Sequence, residues 1–130
     1  MESKREILNL QDIKVLVDGF YESVRHDELL GPVFNARIEN RWPEHLEKMY
    51  KFWQTLLLDQ HTYNGRPFPP HATLPVEHQH FERWKAIFNA TIDEHFTGTK
   101  ANEAKQRAQN IAKMFEIKVA HFQGNSGAIM

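Results

Sequence analysis

The chain contains no cysteine. That excludes disulfides, thiolate metal ligands and a cysteine nucleophile, and it is compatible with a reducing cytoplasm. A basic surplus is also missing: 16 Lys and Arg stand against 17 Asp and Glu, a net charge of -1. Nothing is left over to neutralise a phosphate backbone, so nucleic acid is a poor partner on charge grounds. The opening residues, MESKREILNL, lack the apolar core of a signal peptide. No apolar run reaches the roughly 18 residues that a membrane helix needs, so no membrane partner is expected and the chain reads as cytoplasmic. Glycine-rich phosphate loops and a G-x-S-x-G elbow are absent as well, which leaves Ser/His/Asp catalysis without local support.

Strand signals are equally scarce. No segment keeps up period-two alternation, whereas apolar residues recur at offsets of three and four. Ile13, Leu16, Val17, Phe20, Tyr21 and Val24 mark a helix from Asn9, a suitable N-cap, to Arg25. Leu30-Gly31-Pro32 is expected to interrupt it, with Val33-Phe34-Asn35 as a short buried connector. A second helix spans Trp42 to Leu58, with Pro43 in its first turn and an inward stripe of Trp42, Leu46, Met49, Phe52, Trp53, Leu56 and Leu57. A third covers Val76 to Phe96. A fourth covers Ala101 to Phe122, with Ile111, Phe115, Val119 and Phe122 turned inward. The expectation is an all-α fold, a single domain over residues 1–130 with its core at about 9–122 and flexible ends at 1–8 and 123–130.

Between the second and third helices lies a stretch of loop signals from Asp59 to Pro75. Seventeen residues are long for a structureless loop, so a functional role or a short helical turn is expected there. Within it RPFPPHATLP holds four of the chain's six prolines and one histidine, His71. Proline fixes its own φ and restricts the residue before it, so the direction of this imidazole is set by the backbone. A lone neutral imidazole suits an iron whose in-plane ligands come from a porphyrin, and the chain has Phe, Trp, Met and Leu to line an apolar slot. A satisfied or exposed loop histidine is the more ordinary reading of the same pattern.

The other seven histidines give little metal chemistry. His78 and His80, with Glu77 and Glu82 nearby, form an HxH pair, but on a helix positions i and i+2 diverge by about 200°. No H-x-x-x-H or H-x-x-E-H spacing occurs, and the paired Glu-x-x-His motifs of di-iron bundles are missing. His26, His61, His95 and His121 read as surface residues.

Five stretches in order, GFYESVRHDELLGPVFN, WPEHLEKMYKFWQTLLL, YNGRPFPPHATLP, HFERWKAIFNATID and AKQRAQNIAKMF, resemble the group III truncated haemoglobins, small two-over-two helical globins. The similarity covers roughly Ile13 to Phe115, and the Gly-Gly pairs of the other truncated groups are absent, as in group III. The resemblance implies haem b as cofactor, with His71 as the proximal iron ligand. It implies Tyr21, His45 and Trp84 as the distal residues whose polar tips face a bound gas. Phe34, Met49, Phe52 and Trp53, together with His45 and Trp84, would pack on the porphyrin. Arg66, His78 or His80 would pair with a propionate. Lys85 stands where the family pattern leads one to expect an aliphatic residue, suggesting a polar flank towards solvent, and the two prolines before His71 make its segment unusually stiff.

The function implied is reversible binding of diatomic gases, O₂, NO and CO. Phenol and indole donors would meet the charge that O₂ gains on ferrous iron, and two such donors would slow its escape by roughly 10² to 10⁴. Such a grip suits redox chemistry on the bound gas, such as conversion of NO to nitrate with a reductase as electron donor, better than oxygen delivery. Efficient peroxidase activity follows less readily, because no acid adjoins His71 in sequence. A non-catalytic haem-based gas binder or sensor, and a haem-free helical interaction protein, are the alternative readings.

Overall fold

A computed structural model describes residues 4–128, with side-chain surroundings as far as residue 123. Its helices are α1 (Leu10–His26), α2 (Leu30–Ile38), α3 (Trp42–Leu58), α4 (His78–His95) and α5 (Thr99–Ala128), with a 3-10 turn at Pro69–His71. No strand occurs among the described residues beyond an isolated parallel bridge between Arg5 and Phe96. The all-α expectation holds. Helix α1 packs on α2, α3 and α4, and α4 packs on α5.

Local chemistry explains the boundaries. The Asn9 side chain accepts the Asp12 N–H at 3.0 Å, and all six periodic apolar residues of α1 are buried. Helix α3 has the expected bounds and ends at Asp59, which takes up a left-handed conformation with φ 56. Helix α4 begins at His78 rather than Val76, because Val76 packs in a small cluster with Leu74 and Val119 and Glu77, in extended conformation, stands as the N-cap. Glu77 and His80 then close a capping box. Gly98, at φ +100, turns the chain into α5, where an added Cβ would meet the Glu6 carboxylate at 2.5 Å.

Helix α2 replaces the expected interruption and connector. Asp27 Oδ2 accepts the N–H groups of Leu29 and Leu30, both at 3.0 Å, so the new helix is started by a side chain outside it. Pro32 falls within its first turn, where a missing N–H leaves no helical bond unmade. Gly31 permits the sharp entry: a Cβ there would lie 2.8 Å from the Arg25 carbonyl oxygen.

The last helix also departs from its expected end at Phe122. Helix α5 runs on to Ala128; the side chains from residue 124, and residues 129–130, lie outside the described residues. Phe122, expected to face inward, is 46% exposed. Residues 1–3 are likewise outside the description, but the segment that follows is tied down. Ile7 is fully buried, Thr97 N–H donates to the Arg5 carbonyl at 3.0 Å, and Arg5 Nε donates to Asp12 at 2.8 Å.

Asp12 supplies a pH-dependent stabilisation. Burial by itself would raise its pKa, but the Leu8 N–H, the Arg5 guanidinium and the Asn9 contact together hold it below the ordinary carboxylate range. Because the folded value is depressed, the stabilisation is complete above the unfolded pKa of about 3.9 and is lost as pH falls through the folded value. Asp12→Asn is expected to cost about 1–3 kcal/mol at pH 7 by leaving Arg5 without its charged acceptor, with the gap to wild type closing below about pH 3.9. Denaturant titrations at pH 7 and pH 3 check this; an unchanged gap would mean that the carboxylate charge is irrelevant.

Candidate functional site

Most core side chains are fully covered: Phe20, Phe88, Leu16, Ile13, Leu57 and Ile92 are at most 2% exposed, each worth about 1.5–3 kcal/mol of burial. Met49, Phe52 and Trp84 are only half-buried although they lie on apolar faces. The reason is a cleft. Its inner chamber has a volume of about 110 Å³ and is walled by Tyr21, Phe34, His45, Met49, Phe52, Trp53, His71 and Trp84. Those are the eight site residues expected from the sequence, drawn from α1, α2, α3, the proline loop and α4. Leu30, Val76, Phe81, Ile111, Ala112 and Phe115 add further apolar wall.

His71 is held as the prolines suggested. It ends the 3-10 turn, its N–H donates to the Phe68 carbonyl at 2.7 Å, and its Nδ1 lies 2.7 Å from the Pro67 carbonyl oxygen. A carbonyl only accepts, so Nδ1 carries the proton and Nε2 keeps its lone pair. Burial pushes the His71 pKa down and the Arg37 charge adds to this, while the contacts to the Pro67 and Phe68 carbonyls oppose it. Its Nδ1 partner is thus a neutral carbonyl, which leaves the imidazole less electron-rich than a carboxylate partner would.

The other polar residues come from three helices, Tyr21 from α1, His45 from α3 and Trp84 from α4. Tyr21 is 6% exposed, and burial raises its pKa well above the ordinary phenol, so its hydroxyl stays a donor. Its ring meets Phe20 at 4.8 Å, His45 at 5.1 Å and Trp42 at 5.7 Å. Nε2 of His45 is buried with no hydrogen-bond partner among the described residues. A native orphan of this kind marks a place where something else bonds. Burial, then the positive surroundings of His71, Lys48 and Arg41, pull the His45 pKa down to about 4, so at neutral pH its ring offers one donor and one acceptor. Trp84 stacks on Phe88 at 5.6 Å and 10° and meets Phe20 edge-on at 5.3 Å, which fixes its indole at the chamber wall.

Next to the chamber lies a vestibule of about 650 Å³ that shares Phe34, His45, Met49, Pro67, His71 and Leu74 with it. Arg66 is on its rim, as one of the expected propionate partners. His80 lines the inner chamber, but its Nδ1 accepts the Glu77 N–H at 3.0 Å. His78 turns away to Glu116 at 2.6 Å. His78, Glu82 and Glu116 lie close enough to share an ion, yet Glu82 is already paired with Lys85. Lys85 does not face solvent as expected: only 19% of its side chain is exposed.

Haem fits the donor set, with one imidazole offering a free Nε2, an apolar slot, and an orphaned ring nitrogen in the same chamber. A family model for bacterial-like globins matches residues 7–120. The group 3 truncated hemoglobin of Campylobacter jejuni is 36% identical over 126 residues, covering 94% of this chain and 99% of that protein.

The chain belongs to the group III truncated haemoglobins of the bacterial-like globin family.

The crystal structure of a group III truncated hemoglobin from Campylobacter jejuni superposes on this globin with a TM-score of 0.81 at 37% identity, covering 90% of this chain and 95% of that one. Membership implies haem-based gas binding. No helix among the described residues of this truncated haemoglobin is long and apolar enough to cross a membrane. Arg37, Arg41 and Lys48, also on the vestibule, went unnoticed in the sequence. Arg37 lies in α2, Arg41 caps α3 and Lys48 lies within α3, so only the fold brings the three to one rim.

Proposed function

We propose that this globin holds haem b through Nε2 of His71 and uses Tyr21, Trp84 and His45 to grip O₂ for conversion of NO to nitrate in the cytoplasm. The observation that carries this is the pairing in one apolar chamber of an imidazole whose Nδ1 is committed to the Pro67 carbonyl with a buried His45 Nε2 that has no protein partner. Bound haem supplies a ferrous iron that takes a diatomic gas and yields the one electron that combining O₂ with NO to give nitrate requires. Tyr21 and Trp84 donate hydrogen bonds to the charge that the gas gains, and they do so from rings that packing already immobilises. The apolar chamber wall keeps water away from those bonds and so strengthens them. Phe34, Met49, Phe52 and Trp53 provide the apolar surface on which a porphyrin packs.

Absorbance spectra of the ferric, dithionite-reduced and CO-exposed protein are the first test. A Soret band that shifts through these three states is expected, and no Soret band after added hemin would sink the assignment. Mixing the oxygenated protein with NO is then expected to yield nitrate in a one-to-one ratio. Gas binding without nitrate would leave a gas binder and remove the NO chemistry.

A further inference from the structure

The vestibule rim carries Arg37, Arg41, Lys48, Lys51 and Arg66 but a single carboxylate, Glu44. In a chain with more acids than bases, composition does not produce that imbalance. Elsewhere Arg5, Arg83, Lys85, Lys100, Lys105 and Arg107 sit in carboxylate pairs, and Lys14, Arg25 and Lys118 lie over aromatic rings. Among the described residues no rim cation sits in a carboxylate pair. Two of them bond to neutral groups instead. Arg37 donates to the Pro70 carbonyl at 2.6 Å and to Thr73 Oγ1 at 3.0 Å, and Arg41 donates to the Arg37 carbonyl at 2.6 Å. Their positions are fixed while their charge stays uncompensated.

We infer that this rim is the docking surface for an acidic one-electron carrier protein, which delivers the electron that restores ferrous iron; the inference rests on the proposed function. Even if both propionates of a bound haem met this rim, five cations against Glu44 and two propionates would leave it positive. The remaining charge is spread over α2, α3 and the proline loop. A small anion would engage one convergent pair, whereas a charged protein face meets all three elements at once. Lys48 and Lys51 are exposed on successive turns of α3 and lie outside the inner chamber. The electron balance is simple: the carrier loses one electron, the ferric iron gains it, and no bond forms or breaks in the protein. Opposite charges across such a contact mainly raise the association rate, by about 10- to 10³-fold at low salt.

The test titrates the haem-loaded protein with oxidised flavodoxin, an acidic flavin carrier, and follows binding by calorimetry. Reduction of ferric protein by the reduced carrier is then timed. Binding is expected at low salt and is expected to weaken at least about tenfold between roughly 0.02 M and 0.5 M salt. Lys48→Glu/Lys51→Glu is expected to weaken binding and slow reduction at least about tenfold, against less than about twofold for Lys4→Glu/Lys113→Glu, which makes the same charge change elsewhere. Equal effects of the two double variants, or no binding at low salt, would overturn the docking surface. The wild-type salt series decides the question if the rim variant fails to fold. A normal Soret band and CO complex alongside absent carrier binding would remove this inference alone; their absence would remove the proposed function itself.

Discussion

His71→Ala is expected to lose stable haem binding while keeping its helices. The Pro67 carbonyl fixes the proton of this imidazole on Nδ1 and leaves Nε2 its lone pair, so its removal is expected to delete the proposed iron ligand. Loss of a residue that merely orients a metal ligand costs 10–100-fold in affinity, so loss of the ligand itself is expected to exceed about 100-fold. The fold should tolerate it. His71 is half-buried, belongs to a three-residue turn, and touches Phe115 at 4.8 Å rather than the main core. Circular dichroism and hemin titration separate the two effects. The expected pair is a wild-type helical signal with a hemin complex that ordinary gel filtration strips. His71→Gly with added imidazole is expected to recover the Soret band and CO complex, because the glycine variant leaves space for the free ligand. Wild-type-like haem retention by His71→Ala would end the assignment of this residue.

Much of this arrangement is legible before any coordinates, for physical reasons that differ by region. Helices α1 and α3 repeat apolar residues on one face and carry their own stop signals, so their bounds are visible to within one residue. The proline cluster announces a fixed backbone at His71, and the chemistry of a single directed imidazole follows from it. Helix α2 is different. The N–H groups of its N-cap, Leu29, and of its first residue, Leu30, are satisfied by the Asp27 side chain, so the decisive signal stands outside the segment. Gly31 and Pro32, which ordinarily break a helix, are here the residues that allow it to start. The order of residues 5–8 depends on Asp12 and on Thr97, contacts made across the fold. The convergence of Tyr21, His45 and Trp84 has no local signature. Tyr21 and Trp84 sit on apolar faces that would otherwise count as core, and His45 would count as a partly buried surface residue; only the cleft that all three line tells the situations apart.

Tyr21→Phe is expected to speed O₂ dissociation by about 10- to 150-fold, the equivalent of a hydrogen bond to a charged group at about 1.5–3 kcal/mol. The substitution is clean. The ring contacts of Tyr21 with Phe20, Trp42 and His45 are all available to phenylalanine, and only the hydroxyl leaves. Trp84→Phe is less clean, since the indole also stacks on Phe88, and a smaller ring leaves space at a cost in stability. Its expected effect on O₂ dissociation is of the same order, and the double variant should fall short of the product, because donors in one chamber polarise each other. CO, which gains less charge on binding, is the internal control: its dissociation should move much less than that of O₂ in Tyr21→Phe. Stopped-flow displacement of O₂ by CO measures the first rate, and displacement of CO by NO measures the second. A change below about threefold for O₂ in both single variants would mean that neither donor supplies the grip. The orphaned Nε2 of His45 would then be the next polar group to supply the grip, and His45→Leu the substitution that has to show the loss.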